Sequence, residues 1–218
     1  MNLALFDLDY TLLSGDSDHS WGQFLAAEGV VNGVEHNRRN DAFWAQYKNG
    51  TLDIHQYLQF ALSPIAGKTP AELAPLHAKF MHQIIAPMIS DKAKALVAKH
   101  NTDLCAIVTA TNAFVTAPIA AHFGIAHLIA CDVEIINGRY TGQPLGVPSF
   151  REGKTTRVET WLAGMDKTID DFEQSWFYSD SLNDLPLLER VNRPVAVNPD
   201  STLHAHALAR GWPIIEIK

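Results

Sequence analysis

"ALFDLDYTLLSGDSDHSW", residues 4–21, passes from an apolar, strand-like run directly into four aspartates and five hydroxyl side chains. Aspartate is a poor strand former. A carboxylate at the end of a buried strand is costly unless it is paired or bound to a cation. Asp7 and Asp9 are two residues apart, a spacing that puts side chains on one side of a strand, so both carboxylates can reach one pocket just beyond its end. The ordinary alternative is a pair of exposed aspartates in a turn. Asp16 and Asp18 stand just behind and need a separate reason.

Working outward, further short apolar runs read as buried parallel strands: "LALF" (3–6), "LCAIV" (104–108), "SWFYS" (175–179) and "PVAV" (194–197), with "IIEI" (214–217) as a candidate edge strand. Each lies near a helical pattern, and that alternation predicts an α/β fold around a parallel sheet. About a hundred residues separate the first two strands, and they read as successive helices. One of these carries a threonine cap before a first-turn proline, at Thr69 and Pro70. The reading is a core of residues 1–13 and 87–218 with a helical insertion over 14–86. Loops at the carboxyl ends of such strands surround the ligand site, so the insertion is expected to cover it. "CDVEIINGRYTGQPLG" (131–146) has Asn-Gly between two extended stretches and predicts a hairpin.

Three more chemical groups sit where strands end. In "CAIVTATN" a strand runs into Thr109, small Ala110 and Thr111; a hydroxyl and free N–H groups at a helix start suit a phosphate oxygen. Lys154 opens a helix after Gly153. In "YSDSLNDLPLL", Asp180 follows a strand, and Asp184 lies one helical turn later. Singly, each has a commonplace structural reading: a threonine at a strand end, a lysine on a helix surface, an acid in a turn.

The chain has 218 residues, 47% of them hydrophobic, and a formal net charge of −7. That composition supports a sizeable core, and the charge disfavours broad binding to nucleic acid or anionic membrane. Cys105 and Cys131 lack metal-ligand spacing and read as free thiols. With no basic leader before the first strand and no apolar run near ~18 residues, a cytoplasmic protein is expected. The ten histidines form no zinc-binding pattern, and no glycine-rich dinucleotide or P-loop signature is present.

In order, "FDLDYTLL", "IVTA", "GKTTRV" and "YSDSLNDLPLL" resemble the four motifs of the haloacid dehalogenase superfamily. The whole chain is similar to its phosphoserine-phosphatase-like branch (subfamily IB). The resemblance implies a Rossmann-like core with a C1-type helical cap after strand 1. It implies a Mg²⁺-dependent phosphatase that works through an aspartyl-phosphate on a small phosphorylated metabolite. Asp7 is then the nucleophile and Asp9 the general acid and base. Thr109, Ala110, Lys154 and Asn183 hold the phosphoryl group. Asp7, Asp180 and the carbonyl of Asp9 serve the metal, with Asp184 acting through water or by orienting Lys154.

Asp16, nine residues past Asp7, matches the family's glutamate for a substrate amine. The family's cap arginine for a substrate carboxylate has no good counterpart: Arg38 and Arg39 lie in "EHNRRND", which reads as solvated helix surface, and lysine is not an equal substitute. A cationic substrate without a carboxylate fits better. "SGDSDHSWGQFL" resembles a bacterial subgroup associated with histidinol phosphate, which has an amine and an imidazole. Asp16, Asp18, His19 and Trp21 are then expected on the cap side of the pocket; otherwise Asp18 caps the next helix and Trp21 packs in the cap. Phosphoserine and other amino-alcohol phosphates remain alternatives, as do transfer to a second alcohol and a catalytically inactive phosphate-binding domain. Oligomeric state is not legible.

Overall fold

The computed structural model describes residues 1–217. Strand β1, Leu3–Phe6, is buried along its whole length. Its side chains alternate between two cores, Ala4 and Phe6 facing one and Leu3 and Leu5 the other. This is how a central parallel strand, apolar on both faces, becomes an apolar run in sequence. β1 pairs in parallel with β2 (Leu104–Asn112) on one side and β5 (Ser175–Ser179) on the other.

The sheet continues through β3 (His127–Ile136) and β4 (Arg139–Leu145) at one edge, and through β6 (Arg193–Val197) and β7 (Ile214–Ile215) at the other. The order is β4-β3-β2-β1-β5-β6-β7. Only β4 is antiparallel; it returns from β3 through Asn137-Gly138, both at positive φ, as a tight hairpin turn requires. The edge strand expected over 214–217 is shorter, Ile214–Ile215. β2 outruns the expected end at Val108: after a register shift, Asn112 pairs with Cys131. Thr109, Ala110 and Thr111 therefore lie on the strand rather than in the helix that follows.

Between β1 and β2 come α1 (Ser17–Ala27), α2 (Gly33–Lys48), α3 (Ile54–Leu62), α4 (Pro70–Phe80) and α5 (Asp91–Ala98). The expected Thr69 cap is a full capping box with Glu72. The chain leaves and re-enters the sheet side by side, with Leu13 bridged to Ile89 and Ser14 N–H bonded to the Met88 carbonyl. Beyond β2 lie α6 (Ala113–His122), α7 (Glu152–Ala163), α8 (Leu185–Leu188) and α9 (Ser201–Arg210). α6 packs on the Ala4/Phe6 face; α7, α8 and α9 pack on the other. No helix among the described residues is long and apolar enough to cross a membrane.

The chain moves from β1 to β2 on one side, then returns to β5 on the other. The carboxyl end of β1 is thus the switch point of the sheet, where open α/β folds form their ligand crevice.

Candidate active site

Asp7 directly follows β1, and its N–H still bonds the Tyr178 carbonyl of β5. By strand parity its side chain follows Leu3 and Leu5 toward α7. There Lys154, in the first turn, donates to Asp7 Oδ1 at 2.7 Å and to Asp184 Oδ2 at 2.8 Å. All three side chains are buried. Ser179 Oγ also donates to Asp184 Oδ2, at 2.7 Å. Burial pushes the Lys154 ammonium down, but Asp184 and Asp7 outweigh it and its pKa is raised. Burial raises the Asp7 carboxyl, with Lys154 opposing, and pushes Asp184 up to about 6. Gly153 permits this approach, because a side chain there would collide with the Pro148 carbonyl.

Asp9 is held differently. Oδ1 accepts the Ser17 N–H at the start of α1, at 2.6 Å, and Oδ2 accepts the Thr111 hydroxyl at 2.8 Å. Burial first, then the nearby Asp16 charge, pushes its pKa up to about 7. Two carboxylates two residues apart thus have distinct surroundings, one beside a buried ammonium and the other beside acids and neutral donors. Such separation assigns acid and base roles in other enzymes.

Thr11 Oγ1 lies 2.9 Å from Asp7 Oδ2 and 3.5 Å from Asp180 Oδ1, joining the ends of β1 and β5. Burial, then Asp7 and Asp184, holds Asp180 well above the carboxylate range. Burial and the same three acids raise the Tyr47 phenol. Lys154 bonds Asp7 and Asp184 but not Asp180, so three acids gather around one ammonium and acids are in excess. A hard dication with oxygen ligands suits that excess. Among the described residues no three His, Cys, Asp or Glu side chains already close around one point. The donor set therefore fits an ion that takes carboxylates together with backbone, substrate or water oxygens, as Mg²⁺ does.

Asp7, Asp9, Lys154 and Asp184 open into a cavity of roughly 700 Å³ counting its mouth, while Asp180 lies behind them at Thr11 and is not among its described lining residues. Thr109, Ala110, Thr111 and Asn183 line the cavity together with those four groups. Thr109 Oγ1 accepts the Thr111 N–H at 3.1 Å. Asn183 Oδ1 accepts from Arg151 Nε at 3.3 Å, while Arg151 Nη2 donates to the Gly50 carbonyl at 2.6 Å. Arg151 thereby ties the sheet end to the α2–α3 loop.

Asp16, Asp18 and His19 all line the cavity. The cap of α1 is Asp16 rather than Asp18: its Oδ1 takes the His19 N–H at 2.8 Å. Helix phase decides this, because Asp18 already lies inside the first turn. Trp21, expected at the pocket, is instead core. It is 2% exposed and packs on Phe24, His77, Phe80 and Phe114, since its face of α1 turns toward α4 and α6. Arg38 is exposed and paired with Glu35; Arg39 stacks over Phe60.

Sequence reasoning missed the aromatic wall: Phe43, Trp44 and Tyr47 on α2, Tyr57 on α3, and Phe150 before α7. Its one signal was a Phe43/Tyr47 stripe at i, i+4 on a mainly polar helix. Asn40 also reaches the cavity and donates to the His19 carbonyl at 2.8 Å. α1 and α2 cross closely enough that a Cβ at Gly22 would stand 2.6 Å from Asn40 Nδ2.

Residues 4–189 match the model of the haloacid dehalogenase-like hydrolases. The chain is 44% identical to a histidinol-phosphatase of Neisseria meningitidis serogroup C (strain 8013), over 100% of this chain and 99% of the relative. It superposes on the crystal structure of a protein of unknown function from Bordetella pertussis Tohama I with TM-score 0.94 and 51% identity, covering 100% and 99% of the two chains. A substrate-bound phosphoserine phosphatase shares the fold at 16% identity, with TM-score 0.66 over 93% of this chain and 89% of that one.

Proposed function

The chain belongs to the haloacid dehalogenase-like hydrolase family, and from that premise we propose that it is a Mg²⁺-dependent phosphatase acting on histidinol phosphate through an aspartyl-phosphate. One observation carries the chemistry: Asp7 is fixed by the Lys154 ammonium and Thr11, while Asp9, two residues on, is held by the neutral Ser17 N–H and Thr111 hydroxyl, where burial pushes its pKa up to about 7.

In the first step an Asp7 carboxylate oxygen attacks phosphorus. The bond from phosphorus to the ester oxygen breaks, and protonated Asp9 gives its proton to the departing alkoxide. In the second step water attacks phosphorus and loses a proton to Asp9. The acyl-phosphate P–O bond breaks, releasing orthophosphate and restoring both side chains. Lys154, Thr109 and the backbone around Ala110 hold the phosphoryl oxygens, with Asn183 at the rim; such clamps supply much of phosphoryl-transfer catalysis. Asp7, Asp180 and the Asp9 carbonyl, with Asp184 behind, would hold Mg²⁺, which would supply charge neutralisation for the transferring phosphoryl group. Residues 14–86 act as a cap that shields the acyl-phosphate from other acceptors.

The substrate reading rests on full-length 44% identity to a histidinol-phosphatase and on the cavity's chemistry. Asp16 and Asp18 line it with several aromatic rings, and among its described lining residues there is no arginine to clamp a carboxylate. Its test is Mg²⁺-dependent phosphate release from histidinol phosphate, phosphoserine and phosphoethanolamine, with Asp7→Asn as blank. A kcat/KM for histidinol phosphate roughly a hundredfold above the others is expected. A flat profile refutes the substrate, and turnover by the blank refutes the nucleophile.

A further inference from the structure

Asp18 is the buried acid that the chemistry above leaves unused. It is 6% exposed. Its Oδ1 accepts from Asn112 Nδ2 at 3.2 Å, while Oδ2 is buried with no hydrogen bond of sound geometry. The Tyr57 hydroxyl donates a looser hydrogen bond to the same carboxyl. Such an oxygen is costly to bury unless a ligand donor meets it. Asp16, at the position the family resemblance assigns to a substrate amine, already has Oδ1 engaged by the His19 N–H at the start of α1.

A second orphan lies in the same cavity. His19 Nδ1 is buried without a partner, although Nε2 stands 3.5 Å from Asp41 Oδ1. Burial lowers the His19 pKa, with Asp41 opposing, and a neutral imidazole offers one nitrogen as an acceptor. Trp44 and Tyr57 line the same cavity, and aromatic rings attract cations. Burial and then Asp16 push Asp18 up to about 8, with Asp9 adding to the rise. The charged groups acting on it are themselves acids, so a bound cation would be the group that holds Asp18 ionised near neutral pH.

The mounting is rigid. Asn112 Oδ1 caps α6 by accepting the Val115 N–H at 3.1 Å, and its other amide atom holds Asp18. The preceding residue, Thr111, holds Asp9. Consecutive residues at the end of β2 therefore hold Asp9 and the Asp18 carboxyl at a fixed separation.

We propose that Asp18, carried by Asn112 and flanked by Tyr57 and His19, is the specificity-determining carboxylate that binds the ammonium group of a small cationic amino-alcohol phosphate. This rests on the phosphatase reading above and moves amine recognition from Asp16 to Asp18.

The test is calorimetric titration of the EDTA-treated protein with histidinol, which lacks the phosphate, and with its deaminated analogue imidazolepropanol. The wild type is expected to bind histidinol about tenfold more tightly. In Asp18→Asn, which keeps an oxygen for Asn112, the ratio is expected to fall to within about twofold. Equal affinities in the wild type, no measurable binding of either, or an unchanged ratio in a folded variant overturns the proposal. If Asp18→Asn does not fold, a crystal structure of the wild type with histidinol decides. An amine nitrogen within hydrogen-bond distance of Asp18 Oδ2 supports the proposal, and an amine on Asp16 or in solvent overturns it. Phosphate release is followed in parallel on histidinol phosphate and p-nitrophenyl phosphate. A binding preference without any hydrolysis refutes the phosphatase reading and supports the subsite. Hydrolysis of both esters that Asp18→Asn reduces equally refutes the subsite alone.

Discussion

Replacing Lys154 with methionine removes the ammonium while nearly keeping the side-chain volume. Its two bonds, 2.7 Å to Asp7 and 2.8 Å to Asp184, are buried and charge-assisted. Removing one partner of a buried ion pair costs about 3–5 kcal/mol, because the other charge is left uncompensated. Here two acids lose their partner, but each can take up a proton, which limits the loss. Both have pKa values raised in the folded chain even with Lys154 present, Asp184 to about 6. Without Lys154 they rise further. An acid whose pKa is raised on folding contributes stability at low pH, and that contribution is lost as pH climbs from the unfolded toward the folded value. Each pH unit in that window costs up to about 1.4 kcal/mol per group. The destabilisation of Lys154→Met, read from urea unfolding in EDTA, is therefore about 3–5 kcal/mol at pH 7.5 and smaller by about 1–3 kcal/mol at pH 5.5. A loss under about 1 kcal/mol at pH 7.5, or one independent of pH, refutes the claim that this lysine neutralises two buried carboxylates.

Other consequences follow from the same contacts. With Asp9 titrating at about 7 and needed in its protonated form, kcat/KM for an alkyl phosphate should fall above that pH. The alkaline fall should vanish with p-nitrophenyl phosphate, whose leaving group needs no proton; an identical profile for both esters removes Asp9 as the acid. Saturating Mg²⁺ should raise the melting temperature of the EDTA-treated protein, by about 2.7 kcal/mol of stability at a hundred times Kd. Asp180→Asn should lose most of that gain, and an unaltered gain argues against Asp180 as a ligand. Arg151→Ala breaks the bonds to the Gly50 carbonyl and Asn183, so KM should rise roughly three- to tenfold with kcat less affected; unchanged steady-state constants contradict a role at the rim.

The strands and the motif residues were legible because both are local. β1 is apolar on both faces, so it reads as a continuous run, and Asp7 ends it. Lys154 and Asp184 were findable from neighbours in sequence, although their meeting with Asp7 depends on the order of the sheet. The side of the cavity formed by α1, α2 and α3 was far less legible. "SGDSDHSW" offers two acids able to cap a helix, and only the phase of α1 makes Asp16 the cap, leaving Asp18 to Asn112 and Tyr57. The same phase turns Trp21 into the core. The Phe43/Tyr47 stripe declares a buried face without saying whether core or cavity buries it. β2 runs past Val108 because a register shift lets Asn112 pair with Cys131, a contact between distant segments that no local pattern encodes.

The central claim is that Asp7 carries the phosphoryl group. The direct measurement is mass spectrometry of acid-quenched protein after brief exposure to p-nitrophenyl phosphate and Mg²⁺, using wild type, Asp9→Asn and Asp7→Asn. Asp9→Asn can still be phosphorylated by an ester with a good leaving group but cannot activate water efficiently. It should accumulate a species heavier by one phosphoryl group, mapped to the peptide containing Asp7, which Asp7→Asn never forms. A phosphoryl group mapped to another residue, or none in Asp9→Asn while it still releases p-nitrophenol, would contradict the account.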